Sequence, residues 1–144
     1  MTHLQIFVSY DGEHDADLHD LLRIQSTQPG SSFDLAACSQ GEAMNEAWAS
    51  SARSRIRAAD EVIFICGEHT HESLRVSAEL RIAQEESKPY LLLWGRRERM
   101  CTKPDGARSV DAMYTWDREI LEHQMAAVIR AAKPRPVPEA CLRP

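Results

Sequence analysis

The sequence predicts a doubly wound α/β fold: an open, flavodoxin-like parallel sheet with strand order 2-1-3-4-5. Three observations predict it. The runs EVIFIC at 61–66 and PYLLLWG at 89–95 are continuously apolar, as strands buried on both faces are. Stretches of helical period separate the apolar runs and are long enough to serve as crossovers between parallel strands. The element types alternate as βαβαβαβ, then a long loop and a final βα, and right-handed crossovers wind such a chain into one sheet.

The first strand is LQIFVSY, Leu4 to Tyr10, ending in small and polar residues. DGEHDAD follows as a turn and then as acidic residues suited to a helix N-terminus. Leu18, Leu21, Leu22 and Gln25 form a modest helical stripe, and QPGSS breaks it. FDLAACS is a weaker second strand near the sheet edge. Met44, Trp48, Ala52, Ile56 and Ala59 recur at helical spacing and predict a helix over 44–59. Arg53, Arg55 and Arg57 lie off its apolar stripe and read as solvated.

EVIFIC, bounded by Asp60 and Gly67, is the third strand. Two periods compete after it. Leu74, Val76, Ala78, Leu80 and Ile82 alternate as in a strand, whereas Val76, Leu80 and Ala83 fit a helix. The length of the run, the cap chemistry of Glu72 and Ser73, and the stop at Lys88-Pro89 decide for the helix. At about 100° per residue, Glu79 then sits on the shoulder of the apolar stripe. PYLLLWG is the fourth strand. RRERMCTKPDGARS is a long, polar, basic loop, AMYTW the last strand, and Asp117 the cap of a final helix whose Leu121, Met125, Val128 and Ile129 face the core. The proline-rich KPRPVPEACLRP ends the chain, which divides into a domain over 1–132 and a tail over 133–144.

The 144 residues suffice for one domain with a core, and their net charge of −5 argues against a nucleic-acid partner. No apolar run reaches the roughly 20 residues of a membrane span, and the expected location is the cytoplasm. Cys38, Cys66, Cys101 and Cys141 form no CxxC pair, so neither a disulfide framework nor a zinc site is expected. His69 and His71 alone are too few ligands for a metal. A P-loop is absent because no Gly-Lys-Ser/Thr occurs. A phospho-receiver domain would need aspartate at the end of the third strand, where Cys66, Gly67 and Glu68 stand.

Parallel sheets bind ligands outside the carboxyl ends of their strands, which selects the loop GEHTHES and its surroundings. Glu79 looks across that edge. Ser9 and Tyr10 end the first strand there, and either line a pocket or simply finish the strand. Ser73 reads equally as a ligand and as an N-cap. Trp48 reads as core. The basic loop 96–108 reads as a solvated face, or alternatively as a surface that steers phosphates or mediates assembly.

Three motifs resemble the TIR domain superfamily, and more closely its TIR-like prokaryotic branch, which includes the sensor protein of the Thoeris anti-phage system. They are FVSY at 7–10, the passage SRIRAADEVIFICGEHT ending in Gly-x-x-Thr, and the Ser-x-x-Val-x-x-Glu-Leu spacing of Ser73, Val76, Glu79 and Leu80 followed by Lys88-Pro89. The resemblance covers residues 4–95. It implies an enzyme that cleaves NAD between ribose and nicotinamide, as glycohydrolase or ADP-ribose cyclase, and yields a nucleotide signal in anti-phage defence. Glu79 becomes the catalytic residue, with Ser9, Tyr10, Ser73 and Arg75 as substrate-binding neighbours. NAD is then a substrate and no cofactor or metal is retained. Self-association, or assembly with a partner TIR or effector protein, is implied as well. Arg75 stands where TIR domains commonly carry tryptophan, and Ala37, Cys38 and Ser39 stand where the branch often has Asp-x-Ser. A non-catalytic TIR-like interaction module is therefore an alternative. A nucleoside deoxyribosyltransferase-like enzyme, with the glutamate as nucleophile, is another.

Overall fold

In the computed structural model the described residues are 4–36, 43–117, 119, 121, 123 and 125. The elements are β1 (Leu4–Ser9), α1 (Ala16–Ser26), β2 (Phe33–Leu35), α2 (Glu46–Ala58), β3 (Glu61–Cys66), α3 (Leu74–Glu85), β4 (Tyr90–Trp94) and β5 (Met113–Thr115), with a single 3-10 turn at Thr70–Glu72. The sheet runs β2-β1-β3-β4-β5 and every pairing is parallel. This is the predicted order.

β3 lies at the centre of the sheet and all six of its residues are buried. Its even-numbered side chains, Val62, Phe64 and Cys66, join Phe7, Leu92, the Trp48–Ala52–Ile56 stripe of α2 and the Val76–Leu80–Ala83 stripe of α3. Its odd-numbered Ile63 and Ile65 join Ile6, Val8, Leu91, Leu93, Leu18 and Leu22 of α1, and Leu121 and Met125. Two cores, one on each face, are what a sheet wound both ways requires.

α1 buries Leu18, Leu22 and Ser26, spaced four residues apart. Leu21 departs from the expected stripe and is 56% exposed, because four-residue spacing turns it away from the sheet. α2 begins at Glu46, later than expected, since Asn45 serves as N-cap and accepts a hydrogen bond from the Trp48 amide at 2.8 Å. Met44 falls before the cap and is exposed. Nor do Arg53 and Arg57 simply face solvent. They clasp Glu85, the last residue of α3, and Glu86, its C-cap, through contacts of 2.6–2.7 Å, fixing the two helices side by side. Beyond β5, Asp117 accepts the amide of Glu119 at 3.0 Å and residues 119, 121, 123 and 125 are helical, as its cap role predicts. Cys38, Val128, Ile129 and the 133–144 tail lie outside the described residues. No helix among the described residues is long and apolar enough to cross a membrane.

The stop at Lys88 does more than end α3. Its ammonium donates to the carbonyls of Ala59 and Arg57 at 2.6 and 3.1 Å, satisfying the carboxyl end of α2. Lys88→Met keeps the stem and removes these donors. It is expected to lower stability by about 1–2 kcal/mol in urea denaturation; an unchanged midpoint would show the carbonyls to be equally well hydrated.

Candidate functional site at the carboxyl edge of β1 and β3

Strand order reverses at β1, so the crevice of this sheet opens between the carboxyl ends of β1 and β3. β1 ends there at Ser9. The two-residue period of the strand sends Phe7 and Ser9 toward α2 and α3, and Val8 and Tyr10 toward α1. This separates two residues that the sequence grouped. Ser9 is fully buried and donates to Glu79 Oε1 at 2.6 Å. Tyr10 packs on the opposite face, its ring stacked on His19 at 4.5 Å.

Glu79 reaches Ser9 because α3 starts where it does. Ser73 is the N-cap, accepting the Val76 amide at 3.2 Å. The helix then buries Val76, Glu79, Leu80, Ile82 and Ala83. The shoulder predicted for Glu79 is an interior position, and only 4% of the residue is exposed. Burial pushes its carboxyl up to about 7, against the hydrogen bond from Ser9 and the positive charges of Arg75 and Arg55. The group therefore titrates near neutrality.

Arg75 lies one turn before Glu79, on the same side of α3. Its guanidinium sits over the Trp48 indole, 5.1 Å from the ring centroid. Trp48 belongs to the core, as its spacing suggested, and is 5% exposed. The structure thus brings Ser9, Arg75 and Glu79 together, adds Trp48 and the charge of Arg55, and sets Ser73 at the helix start as a cap. Helical spacing alone carried no signal that Trp48 also faces this cluster.

A second feature lies between the β1–α1 and β3–α3 loops. A cleft of about 240 Å³ is lined by His14, Asp15, Glu68, His69, Arg96 and Arg99. The His14 and His69 rings stack at 4.1 Å. His14 Nδ1 is 2.7 Å from Asp11, and this pairing raises the imidazole above its ordinary range. His69 pairs with Glu72 and His71 with Thr102, so the His-x-His pair is split between different partners. Among the described residues, the group close enough to hold a metal ion is Asp11, Glu13 and His14.

The basic loop is docked in part and is not a plain solvated face. Arg96 bridges Asp15 at 3.1 Å and Asp17 at 2.8 Å, Cys101 is buried, and the Thr102 amide donates to the Gly67 carbonyl at 2.9 Å. Asp15 is 1% exposed and its Oδ2 has no hydrogen-bond partner among the described residues. Its burial raises the carboxyl while Arg96 pulls it back. Ala37, Cys38 and Ser39 lie outside the described residues.

No family model and no curated protein matches the chain. Solved structures do. The TIR domain of the Toll-related receptor TRR-2 from Hydra magnipapillata is 12% identical with a TM-score of 0.59, covering 90% of this chain and 98% of that one. A prokaryotic SEFIR domain is 15% identical with a TM-score of 0.54, covering 94% of this chain and 96% of that one. At such identities the likeness speaks to architecture, and it agrees with the strand order, the parallel pairing and the two-faced core. The chain has the TIR-like α/β fold.

Proposed function

We propose that this protein cleaves the bond between ribose and nicotinamide in NAD. The observation that carries the reading is the buried Ser9–Glu79 pair at the strand-order reversal, a carboxylate held at 2.6 Å by a hydroxyl. In NAD the nicotinamide nitrogen is already cationic. When the C1′–N bond breaks, its electron pair returns to the ring and neutral nicotinamide departs without an acid. The strain of the reaction falls on the ribose, which acquires oxocarbenium character. A fixed carboxylate beside it stabilises that charge and binds ribose hydroxyls. Ser9, by donating to one carboxylate oxygen, orients the other toward substrate. Water then adds at C1′ and gives ADP-ribose, nicotinamide and a proton; attack by a nitrogen of the same molecule gives a cyclic product. The finer role, a nucleotide signal in anti-phage defence, rests on the motif resemblance.

Incubating the protein with NAD and measuring free nicotinamide tests the reading. Glu79→Ala is expected to reduce release by at least about 100-fold. The working form is the carboxylate, so release by the wild type rises with pH through the region near 7, where Glu79 loses its proton. Release that survives the substitution removes Glu79 from the mechanism.

A second reading, an assembly module, has its own support. Leu74 at the start of α3 and Met100 in the basic loop are each 78% exposed, and such apolar side chains suit a contact surface. Absence of release from both proteins, together with concentration-dependent self-association in sedimentation, would favour it.

A further inference from the structure

We propose that His14 and His69 hold a divalent transition-metal ion such as Zn²⁺ between their Nε2 atoms, with the Glu68 carboxylate as third ligand and water completing the shell. The ion ties the β1–α1 loop to the β3–α3 loop and takes no part in the release of nicotinamide.

The wiring of the two imidazoles leads to this reading. His14 Nδ1 lies 2.7 Å from Asp11 Oδ2, and His69 Nδ1 lies 3.0 Å from Glu72 Oε1. An ionised carboxylate only accepts, so in each neutral ring the hydrogen sits on Nδ1 and the lone pair on Nε2. Metal-ligating histidines almost always give their second ring hydrogen to such an acceptor, which fixes the tautomer and strengthens the ligating nitrogen. Asp11 is itself buried, and its Oδ1 accepts the Glu13 amide at 3.0 Å. Two imidazoles wired in this way arrive from different loops and stack at 4.1 Å, lining one cleft of about 240 Å³ with Glu68. Two nitrogens each bound at about 2.0–2.1 Å to one tetrahedral ion lie roughly 3 Å apart. Both rings are exposed and reach that spacing by turning about their own side-chain bonds.

Charge decides for a cation over an anion. Arg96 is committed to Asp15 and Asp17. Arg99 is the other cation lining the cleft, and Glu68, with Asp11 and Glu72 behind the imidazoles, outnumbers it. Imidazole with carboxylate suits Zn²⁺, Ni²⁺ or Cu²⁺, whereas Mg²⁺ and Ca²⁺ prefer oxygen alone. The neighbouring group of Asp11, Glu13 and His14 is the poorer site, because Asp11 Oδ2 and His14 Nδ1 already satisfy each other and an ion there must part them. His71 does not join, since its amide and its Nδ1 both turn to Thr102.

Zn²⁺ titrated into the full chain, followed through the ring-nitrogen signals of ¹⁵N-labelled histidine, tests the inference. One equivalent is expected to shift the Nε2 signals of His14 and His69 while both Nδ1 keep their hydrogens. In competition with a chromophoric chelator, His14→Ala and His69→Ala should each weaken binding at least about 100-fold, more than the roughly 10-fold expected of Asp11→Asn or Glu72→Gln, which alter only the outer carboxylates. Glu68→Ala should weaken it at least about 10-fold, and His71→Ala should leave it unchanged. Urea denaturation checks that each variant is folded, and added Zn²⁺ should raise the midpoint of the wild type but not of His69→Ala. Unchanged binding by His69→Ala overturns the proposal. A larger loss from Glu13→Ala than from His69→Ala also overturns it and places the ion at Asp11, Glu13 and His14. Binding that leaves the two Nε2 signals in place, or no binding, overturns it too. No readout involves NAD, so this site and the enzyme reading fall separately.

Discussion

Glu61→Gln is expected to stabilise the protein at alkaline pH relative to the wild type, and progressively less as pH falls toward 4. Glu61 opens β3 at the amino edge of the sheet, the end opposite the candidate site. It is fully buried, and neither carboxyl oxygen has a hydrogen-bond partner among the described residues. Burial alone pushes its carboxyl up to about 8 from an unfolded value of 4.5. The sign follows from proton counting. Between those values the folded chain holds a proton that the unfolded chain has lost, so the contribution of Glu61 to stability is greatest below pH 4.5 and falls as pH rises, levelling above about 8. The full shift corresponds to roughly 3–5 kcal/mol. Glutamine has the same shape and never ionises. The difference between variant and wild type, followed by urea denaturation across pH 4–9, should therefore grow with pH by about that amount. A constant offset from the amide leaves this slope untouched, and Glu79, present in both proteins, cancels from the difference. A flat difference would mean that Glu61 already finds solvent or a cation in the folded state.

The contrast between Glu61 and Glu79 marks what local sequence can convey. Strand order, helix period and the Ser73, Asn45 and Asp117 caps are local or near-local properties. All of these except the Asn45 cap were legible in the run of residues, as was the interior lean of Glu79. The partners were not. Ser9 and Glu79 are 70 residues apart, Arg96 and Asp15 are 81, and Arg53 meets Glu85 across 32. Such pairs exist only once the crossovers have stacked the elements, and periodicity carries no trace of them. Tyr10 shows a subtler loss: adjacency in a strand means opposite faces, so grouping Ser9 with Tyr10 put two sides of the sheet into one site. Glu61 went unremarked because it reads as the polar boundary of an apolar run, while the β2 edge and the helical segment beyond β5 were legible mainly in outline.

The other large effect is expected at Gly67, the first residue after β3. A methyl there would lie 2.7 Å from Asp15 Cγ and nearer still to both its oxygens. Asp15 cannot easily yield. It is buried and tied to Arg96, which also holds Asp17 and the His14 carbonyl. The Gly67 amide and carbonyl are committed as well, to Thr70 Oγ1 at 2.7 Å and the Thr102 amide at 2.9 Å. Gly67→Ala must therefore displace either a buried, ion-paired carboxylate or the hydrogen-bonded turn that leads to α3. A destabilisation of about 2–3 kcal/mol follows. A double-mutant cycle isolates the cause. In an Asp15→Ala background the clash is gone, and Gly67→Ala should then lower stability by less than about 1 kcal/mol, the remaining effect on the backbone being small. An equal loss in both backgrounds would place the strain in the turn itself. The missing Cβ of Gly67 would then matter to the path of the chain into α3, and through it to where Ser73, Arg75 and Glu79 stand, more than to the closeness of Asp15.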